Sequence, residues 1–360
     1  MTEAIAEKTT AELSVDEVMG QILGELGGSL GVLLSALGVR AGLWAALADA
    51  GPRTPAEVSL QTGVAEPLAR EWLRAQAAAG YLQYDPTASS FTLPEAVAVA
   101  MLQGPGGAMI DACASMFCSM GVDFADFTTA FRNGGGFGWD QRTEEYLHGS
   151  DLLTRTALPA ELIGAILDQL GTRPGAGGSV VDVGCGYGSP TMAVAKHFPA
   201  ARVLGIDYHD ASVAHARAAA QDAGLSNRVR FEVAAATDLP GSGYALITFF
   251  DSLHDLGDPI GALATAHEAL SSDGVVLLVE PLAADRVEDN LNPGGRMFYA
   301  VSTLVCTPNA LSQQVAGGPA PLGTLAGEPR LREVAAAAGF TRVRRVQVDA
   351  PLNLVLELRA

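Results

Sequence analysis

The chain has 360 residues, 49% of them apolar, and its 40 acids against 22 lysines and arginines give a formal net charge of -18. The length suggests two domains, or one with a large extension, and the apolar content is ample for a core. Such acidity argues against a partner presenting phosphates, whether a nucleic acid or an anionic membrane, and serves solubility instead. The first ten residues carry acids and no apolar core, and no stretch approaches the length of a membrane span. Cys113, Cys118, Cys185 and Cys306 form no C-x-x-C pair, which fits a reduced cytoplasm.

Residues 1–14 read as a disordered terminus. From Asp16 to Ala50 apolar residues recur at helical spacing (Val18, Ile22, Leu26, Leu30, Leu37); Gly38 should break that helix and Leu43–Leu47 resume it. Thr54-Pro55-Ala56-Glu57 supplies an N-cap, a proline at the first helical position and an acid at the third. A short helix ends at Gly63, a longer one runs from about Glu66 to Ala79, and a hairpin follows at 81–84 and 91–93. Helix, turn, helix and hairpin make a winged helix, so a mostly helical domain is assigned to residues 1–105. That shape often reads DNA, but Glu66, Arg70, Glu71 and Arg74 cancel on the second helix, and Leu68, Trp72 and Leu73 look like its core face. A dimerisation and lid role is expected, with no nucleic-acid partner. Residues 106–170 read as a helical linker and lid. Their glycine break at Asn133–Trp139 suits either an access loop or a linker.

Residues 171–360 alternate strand and helix. Strands are expected at 180–183, 203–206, 229–233, 245–250 and 275–279, then two closing strands at 341–348 and 354–358, too close together for a helical crossover. The first strand runs into Gly184-Cys185-Gly186-Tyr187-Gly188 behind Asp182, and the second ends in Asp207, 25 positions after Asp182. Glycines at i, i+2 and i+4 let the backbone bend and approach a ligand. The acid at 182 would repel a phosphate and suits a cationic, amino-acid-bearing ligand, while a carboxylate at 207 can accept both hydroxyls of a ribose.

This segment resembles motif I of the class I S-adenosyl-L-methionine (SAM) methyltransferases, and the α/β, Rossmann-like seven-stranded sheet with an antiparallel last strand is their fold. The resemblance implies that Asp182 and the Gly184–Cys185–Gly186 turn face the methionine part of SAM, that Asp207 takes the ribose and that Tyr208 packs on the adenine. The acid that often binds the adenine amino group is replaced by Ala235, leaving backbone groups at Ala236 or the Thr237 hydroxyl to serve, with Phe250 completing the cofactor set.

The fourth strand ends in Asp251-Ser252-Leu253-His254-Asp255, which places His254 on the ligand side of the sheet. A histidine there can act as general base toward a hydroxyl. The Leu-His-Asp triplet resembles the catalytic segment of small-molecule O-methyltransferases, with winged-helix relatives in actinobacteria. In that family the matching histidine is the base and two acids orient it; the residues matching them here are Glu280 and Glu328, with Asp255 adjacent. The tryptophan that usually follows is Leu256. An insert at 285–327 carries Asn292, Arg296 and Tyr299, expected to form a substrate wall; Arg296 suits an acceptor carboxylate. The expectation is a cytoplasmic homodimer that converts SAM to S-adenosyl-L-homocysteine on a small-molecule hydroxyl, without a metal. Two alternatives stay open: His254 and Asp255 binding a metal with a third residue from the insert for C-methylation, or a ligand-sensing winged-helix regulator.

Overall fold

The computed structural model describes residues 13–48, 50–171, 174–175, 177–314 and 318–360. They fall into two compact units, one ending at Gly121 but also holding Glu144–Thr156, the other made of Val122–Thr143 and Ala157–Ala360.

In the first unit, α1 (Val15–Arg40) starts from Ser14, whose side chain accepts from the Glu17 N–H while Glu17 reaches back to the Ser14 N–H. Gly38 lies inside this helix, contrary to the expected break. A Cβ there would sit 2.4 Å from Trp72 and 2.7 Å from Trp44, so the position is small because two indoles pack on the helix. Those indoles meet edge to face at 4.8 Å, Trp44 donating to the Ser35 carbonyl and Trp72 to the Leu34 carbonyl. The chain turns instead at Gly42 (φ 71°), which leads into α2 (Leu43–Leu47). Continuity through Gly38 makes α1 26 residues long, and by length and composition alone it is apolar enough to cross a membrane. This corrects the reading that no stretch approaches that length: Asp16, Glu17, Glu25 and the glycines interrupt the apolar run in sequence but not the helix. The helix exposes Leu23, Leu26 and Leu30.

α3 (Pro55–Thr62) has the Thr54–Glu57 capping box and stops at Gly63. α4 (Glu66–Ala78) buries Ala69, Trp72 and Leu73, and β1 (Gln83–Asp85) pairs antiparallel with β2 (Ser90–Thr92). α5 (Glu95–Ala98) continues into a π-turn, followed by α6 (Gly106–Val122). α7 (Phe124–Asn133) belongs to the second unit and α8 (Glu144–Ala157) almost wholly to the first.

The second unit continues with α9 (Ala160–Asp168), β3 (Ser179–Val183), α10 (Ser189–His197), β4 (Arg202–Asp207), α11 (Asp210–Asp222), β5 (Val229–Val233), β6 (Tyr244–Phe250), α12 (Pro259–Ala269) and β7 (Leu270–Pro281). After the insert helices α13 (Pro293–Val301) and α14 (Thr307–Ser312) come α15 (Gly327–Ala337), β8 (Arg342–Arg345) and β9 (Asn353–Arg359). The seven strands run β5-β4-β3-β6-β7-β9-β8. Those from β5 to β7 are parallel, and β9 is antiparallel to both its neighbours. Central strands covered on both faces should be continuously apolar. Val180, Val181, Val183, Ile247, Phe249 and Val275 through Val279 are all fully buried. Strand order reverses beside β3, and in such sheets ligands bind outside the carboxyl ends of the strands there.

Candidate active site

The turn after β3 holds Gly184, Gly186 and Gly188 at φ 73°, 51° and 84°. A Cβ on Gly184 would lie 2.7 Å from Ser252, and one on Gly188 2.6 Å from the Phe231 ring. A Cβ on Gly186 would meet nothing within 4 Å among the described residues. The outer glycines therefore let neighbouring elements close in, and the middle one borders open space. Cys185 is buried between them, and its N–H donates to the Ile206 carbonyl.

Asp182 is 1% exposed beneath this turn. Its two oxygens accept from Thr191 Oγ1 (2.5 Å) and Thr248 Oγ1 (2.8 Å), tying β3 to α10 and β6. Burial pushes its carboxyl up to about 6 against the pull of those hydroxyls. Asp207 is less enclosed: it accepts from the Gly186 N–H and the His209 N–H, each at 2.9 Å. Burial raises its pKa, and these two bonds oppose the rise. Tyr208 donates to Asn309 Oδ1 at 2.9 Å and accepts from the Trp139 N–H at 3.1 Å, and burial lifts its phenol well above the usual value. Phe250 is buried in the core at the end of β6, Ala236 is half-buried against the core, and Thr237 is exposed, its carbonyl accepting from Thr265.

The segment after β6 reverses at Asp251, a non-glycine residue at φ 54°, a conformation that costs about 1–2 kcal/mol. The reversal aims the next residues at the end of β7. There Glu280 Oε1 accepts from the Leu253 N–H at 2.9 Å, and Oε2 lies 2.5 Å from His254 Nδ1. His254 Nε2 is 3.3 Å from Asp255 Oδ1, a buried oxygen with no hydrogen-bond partner among the described residues. The Cys306 thiol also reaches the imidazole, and burial pushes it up to about 12. Burial works to lower the His254 pKa, but the carboxylates of Glu280 and Asp255 outweigh it and hold the ring well above its usual value. Asp251 itself is exposed at this reversal, and the protein packed around its carboxyl raises its pKa to about 6.

Loop 133–141 and the insert close over this end of the sheet. The Phe137 N–H donates to the Pro308 carbonyl at 2.9 Å, and a Cβ on Gly136 would strike the Ser312 backbone, so the glycine run is a packed contact with α14. Asn309 Nδ2 and Gln313 Nε2 both donate to the Asp255 carbonyl at 3.0 Å. Other expected residues lie apart. Glu328 accepts from Arg332 (2.6 Å) and Arg345 (3.2 Å), which draws its carboxylate into a surface network and not to His254. Asn292 caps α13 by accepting from the Gly295 N–H; Arg296 on that helix is exposed and Tyr299 half-buried. Trp139, Asp251 and Asn309 also take part in the site: Trp139 closes the glycine run and Asp251 opens the segment after β6, but neither position signals a role there, and Asn309 lies in no motif. Asp251 is marked only by its backbone angle and Asn309 only by its contacts.

Comparison with known proteins fits this geometry. Residues 174–317 match the family described as a methyltransferase domain, and residues 28–103 match the Rv2258c-like winged HTH domain. A trans-aconitate 2-methyltransferase of Deinococcus radiodurans is 38% identical over 112 residues, a match spanning 41% of that relative and 31% of this chain. The solved structure of mitomycin 7-O-methyltransferase MmcR is similar over 95% of this chain and 98% of its own, with TM-score 0.64 and 20% identity. Human N-acetylserotonin methyltransferase, solved in complex with SAM, is similar over 97% and 99% with TM-score 0.62 and 15% identity, a likeness of fold. The chain thus joins a winged-helix domain to a methyltransferase domain of the SAM-dependent class I fold.

Proposed function

We propose that the protein transfers a methyl group from SAM to a hydroxyl of a small molecule, with His254 as the proton acceptor. The supporting observation is one juxtaposition: the open turn at Gly186 and Asp207 lies at the same sheet edge as the His254–Glu280–Asp255 cluster. The turn suits SAM because a side chain at Gly186 would fill the free space, and because Asp207 keeps lone pairs beyond its two backbone bonds for ribose hydroxyls. A bound SAM supplies the methyl group on its sulfonium. The protein's part is to hold the Nδ1 proton of His254 on Glu280, so that Nε2 takes the proton leaving the acceptor hydroxyl. Calorimetric titration with S-adenosylhomocysteine tests the cofactor site. The wild type should bind, and Asp207→Ala should lose at least about tenfold in affinity, since charge-assisted hydrogen bonds go with it. A folded wild type that does not bind would remove the proposal.

The winged helix serves assembly in this reading. Arg70 pairs with Glu66 at 3.0 Å and Arg74 with Glu71 at 2.8 Å, which leaves α4 little charge to offer DNA. Retention of DNA in a low-salt gel shift would favour the regulator reading instead. The exposed Leu23, Leu26 and Leu30 of α1 suit a second copy of the chain. Solution scattering should give a dimer for the wild type and a monomer for Leu26→Glu/Leu30→Glu. A monomeric wild type, or its partition into membranes, would overturn this assembly.

A further inference from the structure

We infer that His254, Asp255 and Cys306 form a site for a divalent transition-metal ion. Each of these side chains is buried, and their donor atoms all lie within 4.8 Å of one another. The Glu280 carboxylate sits 2.5 Å from His254 Nδ1. With the Nδ1 proton on that bond, the Nε2 lone pair points toward Asp255 Oδ1, 3.3 Å away. That oxygen is buried and has no hydrogen-bond partner among the described residues. A neutral ring would set two lone pairs against each other across this gap; a proton on Nε2 removes that clash, and so does a metal ion bound between the two donors. Bonds of about 2.0–2.1 Å at a tetrahedral angle place their donors roughly 3.3 Å apart, so the gap has the width of a metal-binding edge. Glu280 then holds the ring from behind, in the carboxylate–histidine–metal arrangement that fixes the tautomer of liganding histidines.

Cys306 supplies the third donor from a different element. It ends the π-turn Ser302–Cys306, between α13 and α14, and Thr324 Oγ1 donates to its sulfur at 3.0 Å. π-turns recur at functional sites because the added residue turns a side chain out of helical register. A nitrogen, a carboxylate oxygen and a sulfur select an ion of borderline softness, such as zinc, iron(II) or cobalt(II), over magnesium or calcium. Three protein ligands leave a fourth position for water or for an oxygen of the acceptor, the pattern of a catalytic site and not of a closed structural one. The inference draws on the methyltransferase reading only in placing an acceptor at that position. The ion and a proton compete for the same Nε2 lone pair, so a bound ion would polarise the acceptor oxygen in place of His254 acting as base.

Cobalt(II) titration of the purified full chain, stripped with chelator, tests the site. The wild type should take up one equivalent, with tetrahedral ligand-field bands and a thiolate-to-cobalt charge-transfer band. Cys306→Ser should lose the charge-transfer band and at least about tenfold in affinity, because serine leaves the other two donors in place. His254→Gln should bind more weakly still, and circular dichroism on both variants confirms that they fold. S-adenosylhomocysteine calorimetry on the same samples separates the two readings. Absent cobalt uptake by a wild type that binds the homocysteine overturns the metal site and leaves the methyltransferase standing. Uptake without the charge-transfer band overturns the site as drawn. Uptake with that band and no homocysteine binding upholds the site and removes the SAM reading.

Discussion

Methyl transfer should rise with pH through the region of the elevated His254 pKa, and Glu280→Gln should move that rise to lower pH. Only the neutral ring can accept a proton. The Glu280 and Asp255 carboxylates stabilise the imidazolium, more than offsetting the opposing effect of burial. Removing the Glu280 charge removes the larger of those two stabilising influences, so the ring deprotonates earlier. His254→Ala should abolish the rise and lower turnover by about 10²–10⁴-fold, the range of general base catalysis, while S-adenosylhomocysteine affinity stays close to wild type. A pH–rate profile at saturating SAM, run on all three proteins, checks this. An unmoved rise in Glu280→Gln would mean that His254 is not the titrating group, and lost homocysteine binding in His254→Ala would give the ring a cofactor role. Stability follows the same linkage with a definite sign. A histidine whose folded pKa is raised contributes stability that is fully present below its unfolded value near 6.5 and is lost as pH climbs through the folded value. The wild type should therefore lose thermal stability relative to His254→Gln as the solution is made alkaline.

The parts of the fold that follow local rules were legible in the chain. The Thr54–Glu57 capping box and the Gly63 stop are written within ten residues of sequence. The central strands announce themselves as unbroken apolar runs because both faces are covered, and the closing hairpin is betrayed by its short connection. Readings failed where a distant residue decided the outcome. Gly38 looked like a helix breaker, but Trp44 and Trp72 need its missing side chain, and nothing near position 38 says so. Asp182, expected to face the ligand, lies 1% exposed beneath the turn, where the distant Thr191 and Thr248 hydroxyls each donate to one of its oxygens, partners that no local pattern announces. Of the two acids matched to the family's orienting pair, Glu280 lies beside His254, since strand ends on one sheet edge must converge. Glu328 stands at a helix start, where Arg332 one turn on and Arg345 compete for it. Cys306, Asn309 and Trp139 reach the site through tertiary packing of the insert and the 133–141 loop, and periodicity cannot encode that.

The three glycines of the turn should separate cleanly by substitution, because the same residue type is present for different reasons. Gly186→Ala should fold. Its φ of 51° lies in the left-handed region, where a Cβ costs about 1–2 kcal/mol, and that Cβ meets no described atom within 4 Å. The methyl would instead occupy the space open to a ligand, so S-adenosylhomocysteine affinity should fall by about tenfold or more with only a modest drop in melting temperature. Gly188→Ala should fail in the opposite way. At φ 84° the same strain applies, and the Cβ lands 2.6 Å from Phe231 Cζ and 3.0 Å from the Ala216 side chain. Overpacking of that kind adds roughly 1–3 kcal/mol, a large share of the ~5–15 kcal/mol that holds a domain folded. Phe231 sits equally close to Gly205, so the ring has little room to retreat. Shortening it in Gly188→Ala/Phe231→Leu should restore part of the lost stability, a non-additive gain that marks direct contact. Thermal melts and calorimetry on Gly186→Ala, Gly188→Ala, Phe231→Leu and the double variant decide the matter. Unchanged ligand affinity in a folded Gly186→Ala would place the cofactor elsewhere, and a Gly188→Ala protein as stable as the wild type would refute the packing role of the third glycine.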